Sequence, residues 1–329
     1  MFDWLIFYIT CCEPESVYFN NIIRPLLKDK YSSYSKNINF DIIFIDKLSR
    51  VGKLKNITVI NTNNFKISTT KKILSIDEII DKHISNKKYD GVILATHTDG
   101  VTLLPCKSPI CEISKFIEIC KNHTKNNILK YLIFDCCYMG SLESLYDFSS
   151  ISEYILATPS YHDGKISYLE SPELFEYKNY IKYKLLNKLA NWYTTTSNSY
   201  SKKLSYAIQW NVYSSEYIKK LFDYIVANNL YEKFVYSKQS IIYYDDDNFH
   251  DFVSVIKNTY KKYPELKNKI IRIMRLFFRS YVIGYSSEIS DKKKIVRSKM
   301  GIYKNIPECY YSDKTVVCKL KSFNTVHCK

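Results

Sequence analysis

Long apolar runs are absent from this chain of 329 residues. A helix that spans a bilayer needs about 20 consecutive apolar residues, and no run approaches that length. The longest apolar run near the start is WLIFYIT at 4–10, and it has no basic flank of the kind that precedes a secretory leader. We therefore expect this run to be a buried strand, and we expect an intracellular, cytoplasmic protein that does not enter a membrane.

Cysteine and histidine patterns typical of metal sites are also missing. The chain has ten cysteines but no CxxC pair, and six histidines but no HExxH. Because protein zinc sites usually show such spacings, we expect no metal site. Disulfide frameworks are typical of small secreted chains, so we expect most of these thiols to be reduced, buried and inert.

The net charge of +15 raises the question of nucleic-acid binding. Most lysines are scattered among Tyr, Asn and Ile and form no patch. The segment NKIIRIMRLFFRSYV at 268–282 is different, because helical spacing places Arg272, Arg275 and Arg279 on one face. We interpret this stripe as a solvated helix face and do not expect a nucleic-acid partner, but a binding face is the alternative.

Alternating strand-like and helix-like segments predict an α/β fold. Ser75 and Glu78 form a capping-box pattern, and Ile113, Phe116, Ile117 and Cys120 follow helical spacing. Short runs that are apolar on both faces favour strands of a parallel sheet covered on two sides. These runs are WLIFYIT (4–10), DIIFI (41–45), ITVI (57–60), GVILA (91–95), YLIF (131–134) and YILA (154–157).

Helical periodicity dominates after about residue 212. One amphipathic stripe consists of Ile218, Leu221, Phe222 and Ile225, and a second of Phe249, Phe252, Val253 and Ile256. The stretches 243–248 and 286–294 are typical of surface loops, and GIYKNIP at 301–307 predicts a short strand. We predict a core at 1–212 and a largely helical subdomain at 213–329 that packs on it.

Two polar side chains stand at the ends of apolar runs. His97 follows GVILA, and Cys137 follows YLIF 40 residues later. If the helix predicted at 111–122 is a crossover, the two strands are parallel and their ends meet at one sheet edge, where functional groups gather in open α/β sheets. A Cys–His pair suffices for thiol nucleophilic catalysis; two unrelated structural residues are the alternative.

The residues around Cys137 resemble a known signature. FDCCYMG at 134–140 is similar to the Asp-Ala-Cys-Leu-Met-Gly signature of the clostripain family of cysteine peptidases, with Cys136 in place of Ala. Weaker similarities follow in the same order along the chain, in DWLIFYIT (3–10), YSKKLSYAIQW (200–210), FHDFVSVI (249–256) and MGIYKNIP (300–307). The resemblance implies a caspase-like three-layer sandwich with a mainly parallel central sheet.

The same resemblance implies roles for individual residues. Cys137 would be the nucleophile and His97 the general base and acid, with backbone near Thr98 and Cys137 binding the oxyanion. Asp135 would pair with a Lys or Arg side chain of a peptide or protein substrate. It lies six residues before Ser141, too early to cap the following helix, and a buried carboxylate that supports the site residues is the alternative. Asp163 matches a second acid of that pocket more loosely.

The resemblance also bears on activation and cofactors. Lys107 lies in VTLLPCKSPIC (101–111), which resembles the region where some relatives cut themselves. Thiol acyl transfer needs no cofactor, and calcium is implied by the family alone.

Other functions stay open at this point. The family has glycines directly after the histidine, where this chain has Thr98 and Asp99. A catalytically weak or inactive pseudopeptidase that serves as an interaction scaffold is therefore the main alternative. An enzyme that cleaves after Asp is another. The sequence does not indicate an oligomeric state.

Overall fold

A computed structural model describes residues 1–10, 19–29, 37–48, 54–62, 66–71, 74–98, 100, 102–103, 111–159, 168–176, 179–200, 209–238, 248–284, 300–304 and 325. Its strands are β1 (Phe2–Ile9), β2 (Ile38–Leu48), β3 (Leu54–Asn61), β4 (Lys66–Thr70), β5 (Gly91–Ala95), β6 (Thr102–Leu103), β7 (Cys111–Glu112), β8 (Leu129–Asp135), β9 (Ser152–Ala157), β10 (Asn211–Ser214), β11 (Phe249–Asp251), β12 (Tyr281–Gly284) and β13 (Gly301–Tyr303). Its α-helices are α1 (Arg24–Asp29), α2 (Ile76–His83), α3 (Ile113–Asn122), α4 (Leu142–Phe148), α5 (Lys184–Tyr200), α6 (Ser215–Ala227), α7 (Phe252–Lys262) and α8 (Lys267–Ser280).

One sheet organises the described part of the chain. It has nine strands in the order β12-β10-β9-β8-β5-β1-β2-β3-β4. The five central strands, β9, β8, β5, β1 and β2, are parallel to one another, and antiparallel strands extend the sheet at both sides. The prediction of a mainly parallel central sheet is therefore confirmed.

The two faces of the sheet are covered by different helices. On one face, α2, α3, α4, α6, α7 and α8 pack their apolar side chains on residues such as Leu94 and Phe134. On the other face, α5 packs on residues such as Ile93 and Ile133. Alternate residues of a strand point to opposite faces, which is why these neighbours in sequence belong to different cores. The result is the predicted three-layer arrangement.

Most local predictions are confirmed. The six apolar runs lie in β1, β2, β3, β5, β8 and β9. Ser75 caps α2 in a reciprocal capping box with Glu78. One detail was wrong: Phe249 lies in β11, and α7 begins only at Phe252. The Phe249 ring is buried, as the apolar pattern predicts, but it extends from a strand and not from a helix.

The C-terminal part of the chain contributes to the sheet as well as to the helical layer. The boundary predicted after residue 212 falls within β10, and β12 lies at the sheet's edge beside it. The short strand predicted at 301–307 is present as β13, and residues 305–307 lie outside the described ranges. β13 pairs with β11 in a separate two-stranded sheet. Within the described residues, no helix is long and apolar enough to span a bilayer.

Candidate active site

His97 and Cys137 follow two neighbouring parallel strands at equivalent positions. β5 pairs with β8 in a register that sets Ala95 opposite Asp135, and each of the two side chains comes two residues later. Both therefore lie at the carboxyl edge of the sheet, next to each other in strand order. Cys137 is buried and His97 partly buried. The sequence-based expectation that the two strand ends are neighbours is correct.

The adjacent Cys136 lies in a different environment. It belongs to the apolar core on the face that also holds Leu94 and Phe134, and its thiol donates a hydrogen bond to the Leu94 carbonyl oxygen at 3.6 Å. Burial raises the pKa of the Cys136 thiol well above its ordinary value, and the charge of Asp135 raises it further. Since the thiolate is the reactive form, Cys136 is a structural residue.

The turn after Cys137 is tight. Tyr138 has a φ of 59°, which is rare for a bulky residue and is often found at functional sites. At Gly140, a Cβ would lie 2.6 Å from the backbone nitrogen of Pro159, and the Gly140 N–H donates to the Thr158 carbonyl oxygen at 2.9 Å. The turn is thus pressed against the end of β9, where a larger residue than glycine does not fit.

Hydrogen bonds fasten the His97 segment to the Cys137 turn. The backbone N–H of Thr96 donates to the carbonyl oxygen of Asp135 at 3.3 Å, which extends the strand pairing past β5. The Thr98 hydroxyl donates to the sulfur of Met139 at 3.7 Å. The hydroxyl of Ser144, in the first turn of α4, donates to the Gly100 carbonyl oxygen at 2.7 Å. These contacts fix the two segments relative to each other.

Thr98 stands where the family that this sequence resembles has a glycine. Thr98 is buried, and it is not among the described residues with positive φ. Gly100 takes the left-handed conformation instead, with φ of 90°, and its N–H donates to the Thr98 hydroxyl at 2.9 Å. Within this loop it is thus Gly100, and not Thr98, that has the backbone angle that only glycine adopts easily.

Asp135 is the last residue of β8, and its side chain is 5% exposed. Strand alternation places it on the sheet face of Tyr131 and Ile133, opposite to that of Cys136. Its register partner Ala95 has a small side chain. It does not cap α4, because Ser141 is the N-cap and accepts the Ser144 N–H at 3.0 Å.

Several predicted residues lie outside the described ranges. These are Asp99, Lys107 and Asp163, and the roles predicted for Lys107 and Asp163 stay predictions. In the part of the chain that the structure covers, no three His, Cys, Asp or Glu side chains meet in a way that would hold a metal ion. The involvement of calcium stays a prediction too.

Sequence reasoning missed some residues of this region. Four residues contact the His97 segment, the Cys137 turn or one another: Gly100, Ser144, Glu143 and Tyr303. One signal was visible: Gly100 is among only seven glycines in the chain, which marks it as a position where the backbone needs special freedom. Tyr303 lies 203 residues after Gly100, so the sequence around Gly100 gives no indication of this contact.

The arginine stripe is on a helix, as predicted. Arg272, Arg275 and Arg279 are exposed on α8, and the Arg279 guanidinium lies 5.9 Å from the centre of the Tyr217 ring. The helical face predicted for these arginines is therefore confirmed, and its interpretation as a solvated surface stays a prediction.

This chain is similar to known proteins in its structure. No protein-family model matches the sequence, and no curated protein matches it either. Among solved structures, a secreted C11 cysteine protease from Bacteroides thetaiotaomicron in complex with an irreversible peptide inhibitor is similar with a TM-score of 0.66, at 14% identity over 99% of both chains. A second structure of a secreted C11 cysteine protease from that organism gives 0.66 at 12% identity, also over 99% of both chains.

An inactive zymogen of a C11 protease from Parabacteroides distasonis is similar too. Its TM-score is 0.61 at 14% identity, over 99% of this chain and 98% of that one. The likeness extends over nearly the whole of this chain. The chain therefore has the three-layer, caspase-like fold of the clostripain-type C11 cysteine proteases.

Proposed function

We propose that the protein is a cysteine endopeptidase that uses Cys137 and His97 and cleaves after Lys or Arg. The observation that carries the proposal is the register of β5 and β8, which sets Ala95 opposite Asp135 and so brings a histidine and a cysteine to equivalent positions at one sheet edge. The fold supports it, because the similar solved structures are cysteine proteases, one of them with a peptide inhibitor bound.

The chemistry would proceed in two steps. The Cys137 thiolate attacks the carbonyl carbon of the scissile peptide bond, and the C–N bond breaks as the His97 imidazolium gives its proton to the leaving amine. His97 then takes a proton from water, the resulting hydroxide attacks the thioester, and the C–S bond breaks to release the carboxylic acid and the thiolate. No cofactor takes part in either step.

The negative oxygen of each tetrahedral intermediate needs hydrogen-bond donors. Backbone N–H groups near Thr98 and Cys137 are the candidates, because each belongs to the segment that carries a reacting side chain. Removing one such donor costs about 10²–10³ in rate in a well-studied hydrolase. The firm attachment of Thr98 to Met139 and Gly100 supports a preorganised site.

Asp135 would provide the specificity for a basic side chain. It is a carboxylate at the sheet edge, two residues before the nucleophile, and its register partner Ala95 has a small side chain. A carboxylate in a buried position forms strong, charge-assisted hydrogen bonds with a guanidinium or ammonium group. The substrate would then be a peptide or protein with Lys or Arg before the cleaved bond.

Fluorogenic peptides that end in Arg, Lys or Asp test the proposal directly. The wild type should release the fluorophore from the Arg and Lys peptides, Cys137→Ala should not, and Cys136→Ala should stay within a fewfold of wild type. A lysine-containing peptide with a thiol-reactive group should label Cys137. Cleavage after Asp alone would refute the proposed specificity. A folded wild type with neither turnover nor labelling would contradict the proposed activity and favour an interaction scaffold.

A further inference from the structure

Glu143 is a buried carboxylate that the proposed reaction does not use. It lies in the first turn of α4, six residues after Cys137, and its side chain is fully buried. One of its oxygens, Oε1, accepts the backbone N–H of Tyr303 at 3.2 Å and the hydroxyl of Tyr231 at 3.3 Å. A charge in such a place is stable only when it is well hydrogen-bonded.

The backbone of Tyr303 is held on both sides. Its N–H binds Glu143, and its carbonyl oxygen accepts the Tyr236 hydroxyl at 3.3 Å. Burial, together with the charge of Glu143, raises the pKa of Tyr236 and of Tyr231, so both hydroxyls keep the protons that they donate. Tyr303 belongs to β13, which pairs with β11, and Glu143 holds this strand from the side of α4.

β13 contacts both segments of the candidate site. On the Cys137 side, the N–H of Gly301 donates to the Gly140 carbonyl oxygen at 2.9 Å. On the His97 side, the Tyr303 hydroxyl covers Gly100 so closely that a Cβ there would lie 2.2 Å from it. The strand thus touches the turn after the cysteine and the loop after the histidine at once.

We propose that Glu143 is a positioning residue: through Tyr303 it fixes β13, and β13 holds the His97 loop and the Cys137 turn in one arrangement. This inference rests on the proposed function. It follows because His97 lies beyond the last residue of β5, so that its position depends on what its loop packs against. A proton transfer needs its partners within a fraction of an ångström of the productive geometry.

The test uses two variants and a matched control. Glu143→Gln keeps the size of the side chain but removes its charge, and Tyr236→Phe removes the bond to the other side of Tyr303. Tyr231→Phe is the control, because the hydrogen bond from the Tyr231 hydroxyl goes to the same Glu143 oxygen and not to β13. All are assayed with an Arg peptide well below their melting temperatures.

We expect Glu143→Gln to lower kcat at least tenfold and Tyr236→Phe about threefold, with KM nearly unchanged, while Tyr231→Phe stays within twofold. The acidic limb of the pH profile of kcat/KM should shift in Glu143→Gln, because the histidine–cysteine geometry changes. If kcat stays within twofold in the folded Glu143→Gln variant, or if the control loses as much, the proposal is overturned.

Hydrogen exchange provides a readout that does not need activity. Glu143→Gln should exchange faster than wild type in peptides that cover 300–304, 96–103 and 136–141, and Tyr231→Phe should not. Faster exchange with an inactive wild type would support the positioning role and contradict the proposed function. Unchanged exchange at 96–103 and 136–141 would overturn the positioning role even for an active enzyme. If Glu143→Gln fails to fold, the same comparison is made with Tyr236→Phe.

Discussion

His97 and Cys137 occupy matching positions beyond two hydrogen-bonded parallel strands, each two residues after the register pair of Ala95 and Asp135. Neighbouring strands lie about 4.8 Å apart, so the two residues leave the sheet side by side. Their segments are then joined through Thr98 and Met139.

The two adjacent cysteines should differ in reactivity. Burial raises the pKa of Cys136, so at pH 7 to 9 it stays a thiol and should react slowly with iodoacetamide, whereas Cys137 should be labelled first. Peptide mass spectrometry after timed alkylation measures both. In urea the two rates should converge, because the cause of the difference is the fold. Faster labelling of Cys136 in the folded protein would contradict the assignment.

Replacement of Asp135 should change the choice of substrate. Charge-assisted hydrogen bonds contribute about 1.5–3 kcal/mol, so Asp135→Asn should lower kcat/KM for Arg and Lys peptides by about 10- to 100-fold. Labelling of Cys137 by a small, uncharged thiol reagent should change little, which serves as the control. If peptide cleavage and the labelling of Cys137 fall by the same factor, Asp135 has a structural role instead.

A methyl group at Gly100 should damage the site for two reasons. The φ of 90° is unfavourable for alanine, which costs about 1–3 kcal/mol, and the new Cβ would meet the Tyr303 hydroxyl. We expect Gly100→Ala to lower both stability and kcat. Adding Tyr303→Phe should restore part of the stability, since it removes the clashing oxygen and leaves the backbone cost.

Gly91→Ala is the matched control for that experiment. Its Cβ would lie 2.5 Å from the Trp4 ring at the opposite end of β5. It should therefore lower the melting temperature but leave kcat within about twofold at temperatures where the variant is folded, since its strain is far from the site. Equal losses of kcat in both variants would show that activity simply follows stability.

Lys107 is the predicted position of self-cleavage. We expect purified wild-type protein to contain two fragments that separate after Lys107, and Cys137→Ala to remain one chain, because only the wild type can carry out the reaction. Intact mass spectrometry distinguishes these states, and Lys107→Ala tests the position. A single unbroken chain in all three proteins would refute self-cleavage at this lysine.

Buried tyrosines should make the protein sensitive to alkali. Burial raises the pKa of Tyr131, Tyr180 and Tyr213, and that of Tyr281 to about 12, from the ordinary value of 10.0. Above pH 10 the unfolded chain loses these phenol protons, whereas the folded protein keeps them. The free energy of unfolding therefore has its full value below pH 10 and falls above it, by about 1.4 kcal/mol per pH unit for each tyrosine.

Absorbance at 295 nm measures the ionisation. In the folded protein the buried tyrosines should ionise only when the chain unfolds, so the absorbance and the circular dichroism should change together above pH 10. In 8 M urea the same groups should titrate near pH 10. Ionisation of all tyrosines near pH 10 while the protein stays folded would contradict the burial.

Local patterns were sufficient for much of the fold. Apolar runs such as GVILA and YLIF predicted strands because a parallel strand covered on both faces must be apolar throughout. β4 was missed, since KISTT on the antiparallel side has almost no apolar residue. Phe249 was assigned to a helix because its spacing fits α7, and the pairing of β11 with β13 decided otherwise.

The amino-acid sequence by itself determined which side chains stand at the ends of β5 and β8, because strand ends are set by local hydrophobicity and turn residues. It also indicated the layered α/β fold. Only the tertiary structure decided that Cys136 is buried in the core, that Gly100 takes the left-handed angle, and that Glu143 and Tyr303 meet beside the site. The reason is physical. The burial, the pKa and the contacts of a residue depend on which distant segments pack against it, and the local sequence around that residue does not specify those segments.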